Sequence, residues 1–156
     1  MSKQLRIWLF VLLSTLLASS SLLAEGVITL TTTQSSGETI YLTIQANGDI
    51  TIEGVQEAPR LDELRKPYTL TGHTVTIRGD VTAIDCSYNI VTNLEVSGCT
   101  SLTTIHCQQN LLDSLDVSGC TSLTTLACNN DQLTSLDVSG CASLTTLACN
   151  LTLIHI

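Results

Sequence analysis

From Val81 to Ile156 the chain has no lysine and no arginine. A surface without cations cannot neutralise phosphates, which argues against nucleic-acid binding. Anionic membranes repel such a surface as well. Aromatic residues make up only 3 % of the chain and charged residues 13 %. Apolar residues still reach 44 %, enough to build a core. A catalytic set is also missing. His73, His106 and His155 occur singly, and none sits with a Ser or Cys in a nucleophile motif. The glycines fall in turns, and no Gly-rich phosphate loop exists. The best enzyme story pairs His106 with a neighbouring cysteine, but successive side chains on a strand point apart. The sequence therefore reads as a non-enzyme without a cofactor.

Residues 1–24 stand apart. Lys3 and Arg6 precede an apolar run from Ile7 to Leu17, broken only by Ser14 and Thr15. Small residues follow, from Ala18 to Ser21, and then Ala24. This is the layout of a secretory signal peptide, cut after Ala24 or, as second choice, after Ser20. The alternative is an uncleaved anchor, but a spanning helix needs about 20 apolar residues. No cysteine near the cut supports a lipoprotein anchor. Cleavage leaves 4 Lys and Arg against 14 Asp and Glu, a net charge of −10. The expected location is the cell surface, the periplasm or the medium, with no membrane insertion after cleavage.

What is present is a repeat. Leu94, Leu115 and Leu136 are spaced by 21 residues, as are Leu102, Leu123 and Leu144. Two cysteine columns share that spacing: Cys86, Cys107, Cys128 and Cys149, then Cys99, Cys120 and Cys141. Each repeat has two similar halves, LTTLACNNDQ and LTSLDVSGCAS, and both end in apolar–polar alternation. Alternation signals a strand, and the Gly and Asn that follow signal a turn. Ten or so residues per half leave no room for a packed helix with its connections. The expected fold is mainly β, with about three 21-residue coils in residues 81–156 and a short strand on each side of a coil. Leu115, Val117, Leu123, Leu126 and Cys128 should be buried in one coil, with Thr125 and Ala127 exposed.

The half LTTLACNNDQL fits the leucine-rich-repeat pattern LxxLxLxxNxL, with Cys in the third apolar place. From Val81 to Cys149 the chain resembles the cysteine-bearing repeats of the internalin family, of the internalin J type. The resemblance implies a parallel β solenoid, display on a bacterial surface, and a role in adhesion or biofilm formation. The chain departs from the family at Cys99, Cys120 and Cys141, where the second turn would carry Asn.

Residues 25–80 are not repeats. VITLTTT, ETIYLTIQA, DITIEG, YTLTG and TVTIRG alternate apolar and polar residues. Asn47-Gly48 reads as a hairpin turn between two of these strands. LDELRK, Leu61 to Lys66, reads as one helical turn before Pro67. The whole segment reads as an N-terminal β cap, which a repeat array needs because its ends expose apolar faces. After Asn150 the pattern fails, so the repeats look truncated, without a C-terminal cap.

Three constellations carry the candidate chemistry. The cysteine columns have three readings: reduced packed thiols, disulfides between neighbours about 4.8 Å apart, or a metal site, which stacked thiols suit poorly. Asn89, Asn110 and Asp131 repeat at the first turn, where their side chains bond backbone groups. Glu95, Asp116 and Asp137 form an acidic ladder. It is either a solvated edge, with repulsions of about 1 kcal/mol each, or a site for Ca²⁺ or a basic partner. Outward positions on the first strand form a flat polar face: Thr104, His106 and Gln108, then Thr125, Ala127 and Asn129, then Thr146, Ala148 and Asn150. That face either stabilises strand pairing, binds a ligand, or, with its threonine rows, binds ice.

Two functions follow. One is an exported binding protein with a protein or glycan ligand on another cell or host surface. The other is a structural element that self-associates through its uncapped end.

Overall fold

The computed structural model describes residues 26–56, 65–150 and 154–155. Residues 1–24, expected to be a signal peptide, and most of LDELRK lie outside the described residues. The fold is mainly β, with no helix among the described residues. In chain order the strands are β1 (Val27–Thr32), β2 (Thr39–Ala46), β3 (Thr51–Glu53), β4 (Lys66–Thr69), β5 (Thr74–Arg78) and β6 (Val81–Asp85). Then come β7 (Val91–Glu95), β8 (Thr104–His106), β9 (Thr125–Ala127), β10 (Leu136–Asp137), β11 (Thr146–Ala148) and β12 (Ile154–His155).

One sheet has six strands in the order β11-β9-β8-β6-β2-β4; the other has four, β3-β5-β1-β7. Within the six-stranded sheet, β6, β8, β9 and β11 are parallel, and each pairs with the residues one repeat away: Ile84 with Ile105, Ile105 with Leu126, Leu126 with Leu147. The N-terminal strands run antiparallel to the first repeat on both of its sides. There β2 pairs with β6, and β1 pairs with β7. Pro67, which has no amide hydrogen, lies on the edge strand β4, where a missing donor is tolerated.

Both sheets bury their inward residues in one core. Ile28, Leu30, Val75 and Ile77 from one meet Ile40, Leu42, Ile84, Ile105 and Leu126 from the other. Leu115, Val117, Leu123, Leu126 and Cys128 are all buried, as expected. Thr125 and Ala127 are half-buried rather than exposed, because β8 and β11 flank β9 on both sides.

The Asn47-Gly48 hairpin does not form. Strands β2 and β3 belong to different sheets, so the segment between them crosses from one sheet to the other. The corner is shared with the β5–β6 connection. Asn47 donates its backbone N–H to Asp80 O at 2.9 Å and its side-chain amide to Asp80 Oδ2 at 3.1 Å. Gly79 sits there at φ +133°, and a Cβ on it would lie 2.9 Å from Asp49 O. Only glycine fits that crossing without strain. The helical turn over LDELRK is also not supported at its described end, since Lys66 opens β4.

The second side of the repeats is less regular. Strand β7 is followed by a single parallel bridge between Glu95 and Asp116, then by β10. Strand β10 pairs in parallel with β12, Leu136 with Ile154. Strand pairing thus continues past Asn150, where the sequence pattern fails.

The core gives a direct test at its centre. Leu126 is fully buried. Leu126→Ala should cost about 2–5 kcal/mol, read as a lower urea midpoint by circular dichroism. Leu126→Asp, which buries an unpaired charge, should abolish the folding transition.

Candidate binding face

The outer face of the six-stranded sheet is built from two rows of paired residues. One row is Gln45, Ala83, Thr104, Thr125 and Thr146. The next is Thr43, Asp85, His106, Ala127 and Ala148. Gln108, Asn129 and Asn150 follow just beyond the strand ends. The backbone keeps them in register, because Tyr88 N donates to Gln108 O and Gln109 N to Asn129 O, both at 3.0 Å. The nine expected face residues are therefore brought together, at unequal exposure. Thr104, His106, Gln108, Thr125, Ala127 and Asn129 are half-buried; Thr146, Ala148 and Asn150 are exposed. The amide oxygen of Gln108 is hidden from solvent and unpartnered, so Gln108 presents only part of its side chain.

Three residues join this face that the repeat pattern did not suggest. Tyr41 on β2 is 46 % exposed and Tyr88 is 64 % exposed. The Arg65 guanidinium lies 5.8 Å from one ring centre and 5.9 Å from the other, within cation–π range. Arg65 also donates to Ser87 O. Asn89 ties the cluster together: its Oδ1 accepts from Tyr41 N at 3.0 Å, and its Nδ2 donates to Tyr41 O at 2.9 Å. Tyr88 has φ +53°, at the position where the next repeats place Gln109 and Asn130, also at positive φ. A bulky residue in that region is strained, and such strain gathers at functional sites. The signal in the sequence was rarity: the chain has only three tyrosines.

The acidic ladder sits on the other side. Glu95, Asp116 and Asp137 are all exposed and line an open groove of about 480 Å³ together with Asp113. Two of them have local work. Asp116 Oδ1 accepts from Ser118 N at 2.8 Å, and Asp137 Oδ1 from Ser139 N at 2.9 Å, each closing the turn after its strand. The Ser118 hydroxyl, then its amide, hold the Asp116 carboxyl below the usual range. Among the described residues, no three His, Cys, Asp or Glu side chains gather in a metal-binding arrangement.

All seven cysteines are free, six of them buried and Cys149 half-buried. Burial pushes Cys86, Cys120 and Cys128 up to about 12, and Cys107 well above its ordinary value. Protonated buried thiols are poor nucleophiles. The second cysteine column has a distinct task. Cys120 Sγ donates to Val96 O at 3.2 Å and Cys141 Sγ to Val117 O at 3.6 Å, each reaching the preceding repeat. At the first turn Asn110 Nδ2 does the same toward Cys86 O, at 2.9 Å. The thiols thus play at the second turn the donor role that Asn110 plays at the first.

No family model matches this chain, and no curated protein or solved structure is measurably similar to it. The face is polar, ordered by strand pairing, and flanked by an exposed Tyr–Arg–Tyr cluster.

Burial predicts the order in which the thiols react. Under native conditions Cys149 should be alkylated first, and the other six only as the chain unfolds. Mass measurement after native and denaturing labelling checks this. Prompt native labelling of all seven would contradict the burial, and a mass lower by six protons would point to three disulfides.

Proposed function

We propose that this chain is an exported leucine-rich-repeat protein whose six-stranded face binds a protein or glycan on another cell or host surface. The finer architecture belongs to the same proposal: a short solenoid of about three 21-residue coils. Support for it comes from the parallel register of β6, β8, β9 and β11, which advances one repeat per strand. The antiparallel strands β1 and β2, packed along both sides of the first repeat, suit a cap. The resemblance to internalin repeats points toward adhesion or biofilm formation at the cell surface.

The observation that carries the binding role is the exposed Tyr41–Arg65–Tyr88 cluster. Tyr and Arg are the residue types that dominate binding hot spots, because they bury large area and also offer hydrogen bonds. A chain with so few aromatics leaves two of them exposed around the same arginine. The neighbouring Thr, Asn and Gln columns supply uncharged polar groups around that anchor.

The test is a screen of the chain against extracellular matrix proteins, glycans and bacterial cells, followed by substitution. Tyr41→Ala or Tyr88→Ala should weaken binding by about 2 kcal/mol or more, roughly 30-fold. Asp113→Asn, on the other side, should leave it unchanged. Binding that is insensitive to both tyrosines but lost with Asp113→Asn would move the site to the acidic groove and refute this assignment.

A further inference from the structure

The column Asn89, Asn110, Asp131 changes chemistry at its third member, and the structure shows what that change leaves undone. Asn110 is buried and uses both ends of its amide. Its Oδ1 accepts from Asn89 N at 3.2 Å and Val91 N at 3.1 Å. Its Nδ2 donates to Cys86 O at 2.9 Å and Cys107 O at 2.8 Å. One repeat later, Asp131 Oδ1 makes the same two acceptor bonds, to Asn110 N at 3.0 Å and Leu112 N at 3.3 Å. A carboxylate has no N–H to complete the set. Asp131 Oδ2 is shut off from solvent and has no hydrogen-bond partner. By the 21-residue register Oδ2 is the counterpart of Asn110 Nδ2, and the carbonyls of Cys107 and Cys128 are the counterparts of the two that Nδ2 serves.

We propose that Asp131 is a proton-operated latch between repeats: with Oδ2 protonated it donates one hydrogen bond to one of those carbonyls, half of what asparagine supplies, and on losing that proton it loosens the repeat behind it. A charged oxygen against carbonyl oxygens, away from water, is costly, whereas a carboxylic acid supplies one of the two missing donors. Burial raises the Asp131 carboxyl above its ordinary value, against the lowering effect of the Leu112 and Asn110 amides. The titratable groups that face it are the thiols of Cys86, Cys107 and Cys128, all themselves held protonated. No lysine or arginine occurs from residue 81 onward to balance its charge.

The sign follows from the raised value. The latch contributes its full stability below the unfolded-state pKa and loses it as pH rises through the folded-state pKa. Asp80 and Asp116 work in the opposite sense, because their values are lowered: their contribution is present at neutral pH and lost in acid. The difference between the parent and Asp131→Asn isolates the latch from them.

The experiment compares urea midpoints of the full chain, of Asp131→Asn and of Asn110→Asp from about pH 4 to pH 8. Asp131→Asn should raise the midpoint at pH 8, and the gain should shrink toward pH 4. Asn110→Asp, which creates a second deficit, should lower the midpoint at pH 8 and recover part of the loss in acid. Hydrogen exchange at pH 8 should place the gain of Asp131→Asn at the Leu112 and Gln132 amides and their neighbours. A midpoint for Asp131→Asn that is lower than or equal to the parent's at pH 8, or a gain that does not vary with pH, would overturn the proposal.

Discussion

Stacking a repeat on itself brings backbone carbonyls and amides at each turn into an interior that water does not reach. Strand pairing satisfies only the groups on the strands. The turns need side chains to finish the work, since an orphaned buried polar group costs as much as a lost hydrogen bond. Asn110 serves four backbone groups from two successive repeats, and the thiols of Cys120 and Cys141 each serve one. These contacts fix the offset between repeats. The leucine layers, the parallel register of the six-stranded sheet and the alignment of its outer columns all depend on that offset.

The two sides of the repeat meet this demand differently. On the first side, Thr103, Thr124 and Thr145 add hydroxyl bonds to the carbonyls of the preceding repeat, at 2.9, 3.0 and 3.1 Å. Strand pairing there is continuous. On the second side the strand gives way at once to an Asp-Val-Ser-Gly turn, in which the carboxylate caps the serine amide. Gly119 sits at φ +75°, and a Cβ on it would lie 3.0 Å from Gly98 Cα. Close stacking there depends on glycine. Its cost is a short ladder, reduced between β7 and β10 to one bridge. Like charges stacked along Glu95, Asp116 and Asp137 give that side nothing to gain from tighter pairing.

The sequence revealed whatever is periodic. The positions of β8, β9 and β11, the buried leucines and cysteines, and the outward columns all follow from a spacing that any reader can count. Alternation located β1 to β5 as well, but not their partners. Asn47-Gly48 carries hairpin chemistry, yet it turns a corner, because Asp80 offers Asn47 bonds that a hairpin would not. Thr125 and Ala127 are less exposed than their outward direction implies, since flanking strands cover the sides of outward residues and a pattern records only direction. Tyr41, Arg65 and Tyr88 come from three separate segments and share no period. Only folding brings them together, so no spacing could have revealed them.

The same logic explains why the cluster lies where it does. Tyr88 occupies the left-handed position of the first turn, which later repeats give to Gln109 and Asn130. Asparagine tolerates that geometry with little strain; tyrosine does not. The strain is held in place by the turn's own network, in which Asn89 binds Cys86 O, Ser87 O and Tyr41 O. That network also anchors the backbone of β2, the strand that carries Tyr41. One asparagine thus closes the first turn, joins the N-terminal strands to the repeats, and sets the backbone between the two exposed rings. In the first repeat, packing and display rest on the same hydrogen bonds, so a change that loosens the turn should also disorder the face.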